Sequence, residues 1–134
     1  MKLEHVAIYT HRLEELKAFY EKYFNANSNE KYTSMKKLNC RFESYFLSFD
    51  TGARVELMMR TDIPKADNYA GSEAVGISHF AFSVGTKDDV DIMYQRLEED
   101  GMRILGEPRK TGDGYYEACV LDPDGNWVEI MADS

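Results

Sequence analysis

The sequence predicts an α+β fold of two tandem βαβββ modules, and three observations carry that prediction. His5 and Glu56 in the first half are echoed by His79 and Glu129 in the second, at steps of 74 and 73 residues. The local sequence is echoed too. Leu3-Glu4-His5-Val6-Ala7-Ile8 matches Ile77-Ser78-His79-Phe80-Ala81-Phe82, and Gly52-Ala53-Arg54-Val55-Glu56-Leu57-Met58 matches Gly125-Asn126-Trp127-Val128-Glu129-Ile130-Met131. Order repeats as well: each His opens a strand-like stretch followed by a helix-like one, and each Glu stands four residues after a turn glycine.

Residues 3–9 alternate as a strand does. After Thr10 and His11, the apolar residues Leu13, Leu16, Phe19, Tyr20, Tyr23 and Phe24 recur at helical spacing and predict a helix that ends near Asn25. Polar residues follow at 27–39. Phe42, Phe46 and Phe49 lie in a β-prone stretch that Asp50-Thr51-Gly52 turns into a hairpin with 54–59. Residues 61–76, with Pro64, Gly71 and Gly76, read as a linker between module 1–60 and module 77–134.

In the second module, 77–84 reads as a strand. Thr86 with Asp89 three residues on predicts a capping box, opening a helix with Val90, Met93, Tyr94 and Leu97 inside and Gly101 as its stop. Strands follow at 102–107 and 115–121, and Asp122-Pro123-Asp124-Gly125 turns the latter into 127–131. The expected architecture is one domain over 1–134, its modules forming a cupped mixed sheet with the helices on the outer face.

Strand parity places the repeated residues. Val6 and Ile8 oppose His5, Ala7 and Tyr9; Phe80, Phe82 and Val84 oppose His79 and Ala81. Val55 and Leu57 oppose Glu56, as Val128 and Ile130 oppose Glu129. With the aliphatic faces packed on the helices, both imidazoles and both carboxylates look out of the opposite, concave face. Any one of the four alone is an ordinary strand residue. Together they would be costly to bury unpaired, and a divalent cation resolves that cost. Two His and two carboxylates suit Ni, Co, Zn, Fe or Mn better than Ca or Mg. They can close a tetrahedral site or leave two positions open on an octahedral ion.

Composition narrows the partners. At 134 residues the chain fits one domain with a real core. A net charge of −8, with Lys36, Lys37 and Arg109, Lys110 clustering only as pairs, argues against nucleic acid and anionic membranes. No signal peptide and no membrane span is visible at this level. Cys40 and Cys119 are too few and too unpatterned for a disulfide framework, which fits a reducing cytoplasm.

These motifs resemble the vicinal oxygen chelate superfamily, which includes glyoxalase I, fosfomycin-resistance thiol transferases, extradiol dioxygenases, methylmalonyl-CoA epimerases and bleomycin-binding proteins. The resemblance rests on His5, on Phe19-Tyr20-Glu21-Lys22-Tyr23-Phe24, on Val55-Glu56-Leu57, on Ser78-His79-Phe80-Ala81-Phe82, and on Asp122 through Glu129. It implies a glyoxalase-like fold of paired modules around a metal. The order His, Glu, His, Glu is most similar to bacterial glyoxalase I, which implies His5, Glu56, His79 and Glu129 as ligands of one divalent ion, Ni or Co ahead of Zn, Mn or Fe.

The same resemblance implies a lyase that converts the hemithioacetal of a thiol and an α-oxoaldehyde to a 2-hydroxyacyl thioester, with Glu129 as first choice of base and Glu56 second. It further implies a homodimer. Where glyoxalase I carries an Arg four residues after the first ligand, this chain has Tyr9, which bears on whether the thiol is glutathione. Arg109 and Lys110 stand near the family's basic residue for the thiol's other end. Tyr115, beside Gly112-Asp113-Gly114, lines the expected pocket mouth with Tyr116, and Trp127 shares the parity of Glu129. His11 reads as a surface residue. Thiol transfer to an epoxide and dioxygenase chemistry need only two His and one carboxylate, so Glu56 is surplus to both. A drug-binding cup, outside catalysis, needs no ligands at all.

Overall fold

The computed structural model describes residues 1–36, 40–65, 73 and 75–134. The chain divides into two compact units, Met1–Asp67 and Asn68–Ser134. The first contains β1 (His5–Tyr9), α1 (Leu13–Phe24), β2 (Asn27–Ser28), β3 (Tyr32–Lys36), β4 (Cys40–Ser48) and β5 (Arg54–Arg60). The second contains β6 (His79–Gly85), α2 (Lys87–Glu99), β7 (Ile104–Lys110), β8 (Tyr116–Leu121) and β9 (Trp127–Ala132). The mixed α+β, glyoxalase-like architecture expected from the sequence is present, with one sheet and one helix in each unit. Among the described residues no helix is long and apolar enough to cross a membrane.

In the first unit β1 runs parallel to β5, β4 pairs antiparallel with β5, and β2 and β3 both lie along the far side of β4. The helix forms because its apolar residues make one stripe: Leu13, Leu16, Phe19, Tyr20, Tyr23 and Phe24 are all buried. Thr10 accepts the Arg12 amide at 2.8 Å, and Asn25, at φ 53°, ends the helix in the left-handed region. Leu16, Leu47 and Leu57 are fully buried where α1 packs on β4 and β5. Gly52, at φ 88°, makes the turn between those strands that a residue with a Cβ would resist.

The second unit repeats the plan, with sheet order β6-β9-β8-β7 and β6 parallel to β9. The predicted capping box forms: Thr86 Oγ1 accepts the Asp89 amide, and the Asp89 carboxylate accepts the Thr86 amide. Gly101 and Met102 donate to Glu98 and Leu97, closing the helix as the glycine predicted. Val90, Leu97, Val120, Val128 and Ile130 are fully buried. Met93 and Tyr94, expected inside, are half-buried, and the Tyr94 hydroxyl turns to Glu98 at 2.6 Å.

Within the polar stretch 27–39, where the sequence assigns no strand bounds, 27–28 and 32–36 form β2 and β3. Their ladder partner is β4, and an edge strand facing solvent needs no apolar alternation to pair. Asn29 spans the gap between them, donating its amide to the Phe46 carbonyl at 3.1 Å and accepting the Phe46 amide on Oδ1 at 2.8 Å. The corresponding edge strand β7 is also irregular, shifting register on either side of Gly106. Within the predicted linker, Gly71 lies outside the described residues, as does Lys37 of the basic pair.

Lys31, between β2 and β3, ties that edge to the helix. Its Nζ lies 2.6 Å from Glu14 and 3.1 Å from the buried Glu43, and the Tyr45 hydroxyl donates to Glu14 at 2.9 Å. The Lys31 ammonium holds both carboxyls below their ordinary value of 4.5. Groups lowered in the folded state contribute stability that is present above the unfolded value and lost as pH falls through the folded one. Lys31→Met is therefore expected to cost about 1 kcal/mol at pH 7, with the difference from wild type vanishing as acid protonates both carboxyls. Urea denaturation from pH 7 down to pH 3 checks this; a penalty independent of pH would mean that Lys31 acts by packing.

Candidate functional site

Burial in β1 and β6 alternates as parity requires, leaving His5, Ala7 and Tyr9, and His79, Ala81 and Ser83, on the face away from the helix. Val55 and Leu57, and Val128 and Ile130, are buried beneath the helices, while Glu56 and Glu129 are half-buried on the opposite face. The register is the same in both units. His5 pairs with Arg54 and Ala7 with Glu56; His79 pairs with Trp127 and Ala81 with Glu129. Each His thus meets a Glu two positions further along the parallel neighbour, and the small alanine opposite each Glu leaves room for the imidazole to lean across. His5 Nε2 lies 3.8 Å from Glu56 Oε1, and His79 Nε2 lies 3.3 Å from Glu129 Oε1.

The surroundings fix these rings. The His5 ring stands edge-on to Phe46, with centroids 5.3 Å apart, and its Nδ1 faces Glu4 at 3.4 Å. Arg54 pairs with Glu4, keeps that carboxyl below its ordinary value, and lies 4.2 Å over the Phe46 ring. At His79 the Nδ1 meets the Ser78 hydroxyl at 2.9 Å, leaving Nε2 toward Glu129. The turn feeding β9 is built on buried Asp122, whose carboxylate accepts the Asp124 amide at 3.0 Å, the Asn126 amide at 2.9 Å and the Asn126 side chain at 2.8 Å. That turn sets the register on which the Glu129 position depends.

Three residues on these faces were missed by sequence reasoning. Glu117 on β8 shares a hydrogen bond with Glu129, and burial together with Glu129 holds its carboxyl above the ordinary value, while Arg109 opposes the shift. Cys119, in register with Glu129, has its thiol pushed up to about 11 by burial and by Glu129 and Glu117. In the first unit Arg60 lies on the Glu56 face of β5 and hydrogen-bonds Tyr9, while Asp62 holds its guanidinium at 3.0 and 2.6 Å. A cation therefore stands beside Tyr9, already carrying a counter-ion. Parity alone could have found all three: Glu117 and Cys119 oppose Ala118 and Val120, and Arg60 follows Glu56 and Met58.

The other sequence candidates fall on different sides. Arg109 pairs with Glu117 and shares its face. Lys110 pairs with Tyr116, whose hydroxyl donates to Asp91 of α2 at 2.7 Å, so Lys110 and Tyr116 belong to the helix side. Tyr115 is exposed at the end of a turn closed by the Thr111 amide on its carbonyl at 2.8 Å. Trp127, opposite His79, is half-buried. His11 is exposed at the start of α1.

The donor chemistry fits a divalent ion. Nitrogen and oxygen ligands held at about 2.1 Å lie about 3.0 to 3.4 Å apart when adjacent on the metal, a range that contains the His79–Glu129 separation of 3.3 Å and that the His5–Glu56 separation of 3.8 Å exceeds. Each unit offers one imidazole and one carboxylate. Among the described residues no group of three or more His, Cys, Asp or Glu side chains is gathered to hold an ion.

Residues 2–130 match the family profile of the Glyoxalase/Bleomycin resistance protein/Dioxygenase superfamily, and the chain belongs to that superfamily. It is 40% identical over 63 residues to the uncharacterized protein YqjT of Bacillus subtilis (strain 168), covering 45% of this chain and 49% of that protein. It is 29% identical over 89 residues to the glutathione transferase FosA of Serratia marcescens, covering 64% of this chain and 60% of FosA. These matches span about half to three fifths of the curated relatives. A glyoxalase I variant from Zea mays superposes with a TM-score of 0.76 at 26% identity, covering 98% of this chain and 45% of that one. Superfamily membership agrees with the resemblance drawn from the His and Glu motifs.

Proposed function

We propose that this protein is a metal-dependent lyase of glyoxalase I type, acting as a homodimer in the cytoplasm on the hemithioacetal of a thiol and an α-oxoaldehyde. The observation that carries the reading is the repeated His-to-Glu offset, which supplies two imidazoles and two carboxylates in matching pairs. His5, Glu56, His79 and Glu129 would hold one Ni or Co ion, with Zn, Mn or Fe as alternatives. When bound, the ion supplies Lewis acidity to the two vicinal oxygens of the substrate.

The chain's own residues do the rest. Glu129 takes the proton from the carbon bearing sulfur and hydroxyl and returns it to the neighbouring carbonyl carbon, while the hydroxyl proton passes to the oxygen of that second carbon, so the adduct becomes a 2-hydroxyacyl thioester without gain or loss of atoms. Glu56 is the second candidate for that role. Tyr9, Arg109, Tyr115 and Trp127 line the substrate, with the Tyr9 and Arg60 pair in place of a free cation. A Tyr-bonded, Asp62-neutralised arginine favours a thiol other than glutathione at that end.

The test is to load metal-free protein separately with Ni, Co, Zn, Mn and Fe and to follow methylglyoxal turnover with several thiols. Turnover is expected with Ni or Co first. Metal binding without turnover by any pair would leave a metal site and remove the lyase. The match to FosA favours a second reading, thiol transfer to an antibiotic epoxide. Fosfomycin consumption in the same metal series, with no methylglyoxal turnover, would select it.

A further inference from the structure

The indole of Trp127 carries a polar atom that the proposed chemistry leaves unused. Its Nε1 is shielded from solvent and has no acceptor, one of only two such side-chain atoms among the described residues. An indole N–H can only donate, and a shielded donor without an acceptor is costly enough that native structures rarely keep one without a reason. Trp127 stands directly opposite His79 in the parallel ladder, two residues before Glu129 on the same face of β9. On its other side is Leu121, which has no side-chain acceptor to offer.

We propose that the Trp127 indole N–H is held for an acceptor oxygen of the bound substrate, beside His79, and that Trp127 is a specificity-determining residue for oxyanionic ligands. This rests on the reading of His79 and Glu129 as metal ligands. A neutral donor that cannot ionise favours an oxygen gaining negative charge and disfavours a group that can only donate. Removing this N–H should not lower the stability of the ligand-free protein, because nothing among the described residues accepts it.

The chain has a single tryptophan, so its emission reports on this ring alone. Acetohydroxamate, an anionic chelator with two vicinal oxygens, is the probe. In the Ni-loaded protein, adding it is expected to shift the emission to the red. Trp127→Phe is expected to bind it about tenfold more weakly by calorimetry, with Ni affinity unchanged and the melting temperature of the metal-free protein no lower. Should Trp127→Phe fold poorly, the single tryptophan can be replaced during expression by β-(3-benzothienyl)alanine, which keeps the bicyclic shape and puts sulfur in place of N–H. Equal acetohydroxamate affinity in a variant that still binds Ni overturns the donor role alone. Failure of the wild-type protein to bind Ni overturns the metal-site reading and this proposal with it. A lower melting temperature of the metal-free benzothienyl protein would show that the N–H serves the fold, which also overturns the proposal.

Discussion

Glu129→Gln is expected to lower kcat/KM for the preferred hemithioacetal by about 10³-fold, the scale of a lost general base. The substitution keeps the shape and one oxygen of the side chain but removes its capacity to take a proton. It also ends the contact between two carboxyls at Glu129 and Glu117, which the fold holds together at some cost. The side-chain amide so introduced can donate to Glu117, so the metal-free variant should melt no lower than wild type. That combination separates chemistry from folding: activity falls steeply while stability holds or rises. Steady-state kinetics on Ni- or Co-loaded protein, with metal content measured on the same samples, checks the first half; calorimetric melting of metal-free samples checks the second. Activity within tenfold of wild type, at full metal content, would move the base elsewhere, with Glu56 next in line.

What the sequence made legible follows from how local each signal was. Both helices and the strands carrying His5, Glu56, His79 and Glu129 announce themselves through short-range periodicity, and the Thr86 capping box and Gly101 stop lie within a few residues of what they cap. The pairing of His with Glu was legible only because it occurs twice. A single His and a Glu some 50 residues away carry no register, whereas two copies at nearly the same spacing do. What stayed hidden depends on cross-strand neighbours. β2 and β3 are defined by hydrogen bonds to β4 rather than by their own alternation. Lys110 was grouped with Arg109 as an adjacent basic residue, yet adjacency on a strand means opposite faces, and the Tyr116 bond to Asp91 shows which face Lys110 takes. The interest of Glu117 and Arg60 lies in what stands beside them across the sheet, Glu129 and Tyr9; parity gives the face each takes, but not the cross-strand neighbour it meets there.

Glu56→Ala is expected to weaken metal affinity by at least about 10²-fold and to reduce lyase turnover in parallel at limiting metal. The argument is one of equivalence between the two units. Glu56 has the same register offset from its imidazole as Glu129 has, and it is at least as shielded from solvent, with side-chain exposures of 16% and 22%. Its surroundings hold the imidazole in place independently: Phe46 packs against the His5 ring, and Glu4 faces the other ring nitrogen. Removing the Glu56 carboxylate should therefore leave His5 where it is and subtract one oxygen donor only. If four ligands are used, the loss appears first as metal dissociation and is recovered in part by excess Ni. If three suffice, as thiol transfer or dioxygenase chemistry requires, Glu56→Ala keeps both its metal and its activity, and Glu56 is a carboxylate that only steadies His5. Metal titration of the variant against wild type decides between these, and because Glu56 lies in the first unit and Glu129 in the second, the pair of substitutions also tests whether the two His–Glu pairs contribute equally to metal binding and unequally to proton transfer.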